Sequence, residues 1–190
     1  MTFNLRGLNV TIANRKERAS RVWLAERAYD KLIAAASHDL PNEAGGILVG
    51  WHQGTGIFVS DILTVADSAA GRYHFVRNHD TAEAVLSTYL DQEPDSAVGY
   101  VGEWHSHPIL QPPSSIDYNS IRGVAEQMNR PVVMFVVAFD RDGSVSIYGV
   151  HAQRQDRTVE LLRVAPQLLS KSISSPNRRV RSWSGQADRG

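Results

Sequence analysis

Residues 131–139 read PVVMFVVAF, an unbroken apolar run after a single proline. A strand with one face on water alternates polar and apolar residues, so a run without a polar position must be covered on both faces. The run therefore belongs inside a sheet that has helices on its two sides. It is far too short to span a bilayer, which takes about 20 apolar residues, and no other stretch of the chain is longer. These constraints predict a layered α/β domain with a mixed sheet flanked by helices.

The rest of the chain supplies the flanking elements. VWLAE (22–26) predicts a short strand leading into a helix through Leu24, Ala28 and Leu32. GGILVGW (45–51) and IFVSDILTV (57–65) predict two strands joined by a glycine-containing loop. Ala82, Val85, Leu86, Tyr89 and Leu90 form one helical stripe, and Ile121, Val124, Ala125 and Met128 form another. Residues 97–107 and 144–151 read as strands, and VELLRV (159–164) as a last one.

The chain has 190 residues and no cysteine. This length suits one domain with tails. The missing cysteine removes disulfides, thiolate nucleophiles and cysteine metal sites together, so any metal must use His, Asp or Glu. Neither a spanning segment nor the basic start and apolar middle of a secretory signal is present, which favours the cytoplasm. The net charge of zero is uneven. Residues 1–21 hold five basic residues against one acid, as do residues 170–190, which leaves −8 on residues 22–169. The expected organisation is a basic N-terminal arm (1–21), a single folded domain (22–169) and a flexible basic tail (170–190). An acidic body disfavours nucleic acid as a partner, because phosphate contact needs a concentrated basic face.

The chemistry lies in VGEWHSHPILQPPSSIDY (101–118). On a strand, residues two apart point the same way. His105 and His107 therefore share a face, with Val101 and Glu103 expected on it and Trp104 and Ser106 on the other. Two imidazoles so held can meet one metal ion. Asp117 follows a loop stiffened by Pro108, Pro112 and Pro113 and can fold back as a third ligand. Zinc with three protein ligands keeps one position open, as catalytic sites do. Hydrolysis also needs a base and an oxyanion donor. Ser114 is placed to be the donor, and Glu43 or Glu103 to be the base. His38, His52, His74, His79 and His151 have no spacing partner and are expected at the surface.

These residues resemble the JAMM (MPN-plus, JAB-domain) metalloproteases. Their E-x-G-G-x-L-x-G pattern is matched by EAGGILVG (43–50), H-x-H-P by HSHP (105–108) and S-x-x-D by SSID (114–117). The resemblance extends over roughly residues 22–164. It implies an MPN fold, a curved mixed sheet flanked by helices and similar to cytidine deaminases. It also implies His105, His107 and Asp117 as ligands of one zinc ion, Glu43 as general base and Ser114 as oxyanion stabiliser. The family commonly has seven residues between the second histidine and the serine; this chain has six, with Ser115 as the neighbouring alternative.

Family members cleave after the C-terminal glycine of ubiquitin or ubiquitin-like proteins. The segment between Asp117 and Pro131 has room for one helix, so the resemblance is to compact bacterial members. For those, it implies a ubiquitin-like protein or its conjugate as partner, beside E1-like and E2-like proteins and in some cases antiphage defence. The alternatives are a peptidase for a sulfur carrier or another small conjugate, a non-catalytic MPN scaffold, and a DNA-associated RadC-like protein, which the acidic body disfavours.

Overall fold

The computed structural model describes residues 2–5, 8–11, 21–54, 56–66 and 79–170. In chain order the elements are β1 (Thr2–Leu5), β2 (Leu8–Thr11), β3 (Val22–Ala25), α1 (Glu26–His38), β4 (Gly45–Gln53), β5 (Gly56–Thr64) and α2 (His79–Gln92). They continue with β6 (Gly99–His107), α3 (Ser115–Gln127), β7 (Val132–Phe139), β8 (Val145–Gln155), β9 (Thr158–Val164) and β10 (Gln167–Leu169). β1 and β2 form an antiparallel hairpin within the expected N-terminal arm. The rest of that arm up to residue 20, and the tail beyond Ser170, lie outside the described residues.

The main sheet runs β10-β3-β5-β4-β6-β7-β8-β9. β10 with β3, β3 with β5, and β6 with β7 pair in parallel, and the other neighbours are antiparallel. The mixed sheet flanked by helices is thus the predicted architecture. β10 was missed, since three residues are too short to show a period.

β7 is buried at every position, and its alternate side chains serve two different cores. Val133, Phe135, Val137 and Phe139 pack in the cluster that holds Ala28, Leu32 and Ala36 of α1. Val132, Met134 and Val136 pack with Ile121 and Ala125 of α3. Full burial of each such side chain contributes about 1.5–3 kcal/mol. On the α3 side of the sheet, Ala82 of α2 closes a third cluster over Ile47 and Val49 of β4. None of the described helices is long and apolar enough to cross a membrane.

Two glycines let the central strands approach. A Cβ on Gly46 would lie 1.9 Å from the Leu63 carbonyl oxygen and 2.9 Å from Trp104 Nε1. It would therefore fall on the 3.1 Å hydrogen bond that the indole donates to that carbonyl across β4. A Cβ on Gly102 would lie 1.7 Å from the Val133 carbonyl oxygen.

Gly102 adjoins a bulge. β4 pairs Leu48 with Gly102 and Val49 with Tyr100, which leaves Val101 without an opposite residue. The extra residue reverses the alternation, so Val101 is buried with Trp104 in the α1 core. The expectation that Val101 shares the histidine face is corrected. Tyr100 takes that place, and its hydroxyl donates to Glu103 Oε1 at 3.1 Å.

A second correction concerns the histidines outside the motif. His38 and His79 are exposed and His74 lies outside the described residues, but His52 is half-buried and His151 is buried. His52 Nε2 donates to the Pro131 carbonyl at 2.7 Å. Neither ring nitrogen of His151 has a hydrogen-bond partner among the described residues. Burial, helped by the neighbouring His52, pushes the His151 pKa down to about 4. Between pH 6.5 and 4 the unfolded chain therefore binds a proton here that the folded chain does not, so stability falls as the pH drops through this window. The expected loss from this group is about 3 kcal/mol. Urea unfolding at pH 7 and pH 4 should show that much less acid sensitivity in His151→Leu than in the natural chain; equal sensitivity would mean that His151 stays solvated.

Candidate metal centre

The two histidines end β6, and α3 begins eight residues after the second one. Because β6 and β7 are parallel neighbours with α3 as their crossover, the carboxyl end of β6 and the amino end of α3 meet at one edge of the sheet. Open α/β sheets bind ligands at such strand ends.

S-x-x-D is legible here as a helix start. Ser114 is the N-cap of α3; its Oγ accepts from the Asp117 N–H at 3.3 Å, and its own N–H donates to Asp117 Oδ2 at 2.5 Å. This reciprocal pair is a capping box. It orients the Asp117 carboxylate in the first turn, where the helix dipole also favours a negative charge. Burial alone would raise the Asp117 pKa, but His105 and the Ser114 backbone and side chain outweigh it and hold the pKa at about 2.

His107 is fixed by the short loop. Its Nδ1 donates to the Gln111 carbonyl at 2.9 Å, which places the proton on Nδ1 and leaves Nε2 as the free base. Burial lowers the His107 pKa, with His105 adding to the effect against the Gln111 bond and Asp117, so the ring favours its neutral, ligating form. The role of Gln111 was not legible in the sequence, because a backbone carbonyl carries no residue signature.

His105 Nε2 lies 3.2 Å from His107 Nε2 and 3.2 Å from Asp117 Oδ1, while His107 Nε2 lies 3.6 Å from Asp117 Oδ2. Tetrahedral ligands at bonds of about 2.0–2.1 Å stand roughly 3.3 Å apart. The three side chains are therefore spaced as one metal ion would require. Among the described residues they are the only three such donors gathered within 4.8 Å of one another.

Glu43 comes to the same edge through β4. Gly45 stands opposite His105, and the Ser106 N–H donates to the Ala44 carbonyl at 2.7 Å, which carries the pairing one residue beyond the strand. Continuing this antiparallel register sets half-buried Glu43 opposite His107. Glu103 shares the histidine face, but its carboxylate accepts from Tyr100 and it stands four residues from His107, about 13 Å along the strand. Trp104 is buried on the other face, as expected. The flanks of the centre carry exposed apolar side chains: Ile109 and Leu110 follow His107, and Ile116, 77% exposed, precedes Asp117.

Residues 25–158 match the family described as prokaryotic homologs of the JAB domain. A relative, the CD-NTase/cGAS isopeptidase of Enterobacter hormaechei subsp. hoffmannii (strain UCI 50), is 33% identical over 130 residues, which is 65% of this chain and 70% of that protein. The solution structure of a Desulfitobacterium hafniense protein aligns with a TM-score of 0.56 at 19% identity, over 81% of this chain and 95% of the other, a likeness of fold alone. The family match takes in Glu43, His105, His107, Ser114 and Asp117 together, and it spans well over half of the residues. The chain belongs to the prokaryotic JAB-domain family.

Proposed function

We propose that this JAB-family metallo-hydrolase is a zinc-dependent isopeptidase acting on a conjugate made through the C-terminal glycine of a ubiquitin-like protein. The name of the Enterobacter relative makes a CD-NTase/cGAS conjugate the first substrate to try, in a cytoplasmic bacterial conjugation system of antiphage defence with E1-like and E2-like partners. The observation that carries this reading is a metal-spaced His-His-Asp cluster on β6 and α3, with the segment bearing Glu43 running on from β4 beside it.

His105, His107 and Asp117 would hold the ion, with two nitrogens and one oxygen, a donor set that suits zinc in a chain without cysteine. When bound, zinc supplies Lewis acidity toward the scissile carbonyl and lowers the pKa of a coordinated water. Glu43 takes the proton of the attacking water and delivers it to the leaving amine. The Ser114 oxygen already accepts from the Asp117 N–H, so its own hydroxyl hydrogen is available to an oxyanion. Exposed Ile109, Leu110 and Ile116 beside the centre suit a macromolecular partner better than a small conjugate. A C-terminal Gly-Gly segment has no side chains to obstruct its approach between them.

The direct test is release of the free partner from a purified ubiquitin-like or CD-NTase conjugate, with metal content measured on the same sample. Glu43→Gln should keep about one equivalent of zinc and lose about 10³-fold in kcat; retained activity would transfer the base to Glu103. His107→Ala and Asp117→Asn should each lose bound metal along with activity, and full zinc occupancy in either would refute the ligand set.

Ser114→Ala separates two roles of one residue. Loss of the cap should cost about 1 kcal/mol of stability. Loss of the oxyanion donor should lower kcat by a further 10²–10³-fold at unchanged zinc content. A variant that is less stable but fully active would leave Ser114 as a cap alone.

A further inference from the structure

Ser106 lies between the two histidine ligands, points away from them and is fully buried. Its hydroxyl oxygen accepts a 2.8 Å hydrogen bond from the Ala44 N–H, across 62 residues of sequence. Its own N–H donates to the Ala44 carbonyl at 2.7 Å. One residue of β6 therefore ties down both backbone polar groups of Ala44, the residue that follows Glu43.

In a regular antiparallel pair the Ala44 N–H would go to the Ser106 carbonyl. Here the side chain has taken that place, one residue before β4 begins at Gly45. Without the hydroxyl, the Ala44 N–H would be a buried donor that must find another partner, and Ala44 would keep one of its two hydrogen bonds to Ser106. Ala44 is itself 3% exposed, so no bulk water stands ready to replace the serine.

We propose that Ser106 is a positioning residue for catalysis: its hydroxyl clamps the backbone beside Glu43 so that the carboxylate is held against the metal-binding histidines. The clamp acts on the base, while the ligands are set by the strand, by Gln111 and by the cap of α3. This inference rests on Glu43 being the base.

The test uses the full chain, a purified conjugate and the variants Ser106→Ala and Ser106→Thr. Ser106→Ala should lower kcat by about 10–10²-fold, the scale of a misplaced catalytic group, with KM and bound zinc unchanged. Amide hydrogen exchange at Ala44 should be at least about tenfold faster in that variant, because the N–H has lost its acceptor. Ser106→Thr keeps an oxygen at the same position and should restore both kcat and slow exchange. Unchanged kcat in Ser106→Ala, zinc loss in step with activity, or a threonine variant as slow as the alanine one would each overturn the clamp. If Ser106→Ala does not fold, Ser106→Thr and Ser106→Val provide the comparison, since they match in shape and differ in the hydroxyl; equal kcat in those two also overturns it. Failure of the underlying reading looks different: Glu43→Gln then keeps its activity, while exchange at Ala44 still shows whether the clamp exists.

Discussion

The pairing of β4 with β6 is the interaction on which the site depends. It aligns Gly45 with His105 and Gly46 with Trp104, and through Ala44 and Ser106 it continues to the edge where Glu43 stands. No local property of either segment brings them together. What does so is shared burial: Leu48 and Trp104 enter one core while Ile47 and Val49 enter another, so a slip by one residue would exchange the two sets. The register that satisfies the cores, continued one residue past Ala44, is also the one that sets Glu43 opposite His107. Packing and chemistry are in this sense one constraint, and the glycines at 46 and 102 let the strands on either side, β5 and β7, close on this pair, since a Cβ at either would meet the Leu63 or Val133 carbonyl.

The third member of the cluster is delivered by a different kind of force. Asp117 is oriented by the cap of its own helix, a local hydrogen-bond exchange with Ser114. The helix is then placed by Ile121 and Ala125 against β7 and β8. The three side chains of the cluster thus depend on one long-range pairing, one local cap and one loop carbonyl. The capping oxygens are the same ones that the proposed chemistry uses. A carboxylate with a pKa of about 2 stays ionised throughout the range in which histidine is neutral, which is the charge state a divalent cation requires.

Much of this was legible from residue order. The uniform apolarity of 131–139 required cover on both faces, and β7 has it; the stripes at 82–90 and 121–128 lie on α2 and at α3. The candidate site was readable because each part carries its own pattern: period two for the histidines, a helix-start signature for Ser114 and Asp117, and close-packing glycines after Glu43. What escaped was whatever depends on a neighbour rather than on a period. The bulge at Val101 changes which side chains share a face without altering the composition of the strand. The Gln111 carbonyl is invisible to residue type. β10 is too short to show alternation.

His151 marks the limit of spacing as a guide. Like His105 it sits on a strand of the main sheet, and spacing alone treats a histidine without a partner as a surface group. Yet β8 turns it inward beside Leu162, opposite Val133, where its nitrogens have no partner among the described residues. The difference between the two histidines is therefore their surroundings. At the edge of the sheet, Asp117 and the Gln111 carbonyl give imidazoles something to bind and a preferred tautomer. In the interior, burial suppresses the charge and leaves a neutral ring that acts as a hydrophobic filler. The same side chain joins a polar cluster or becomes a piece of core according to whether the fold supplies it with polar partners, and here that depends on which end of the strand reaches the edge.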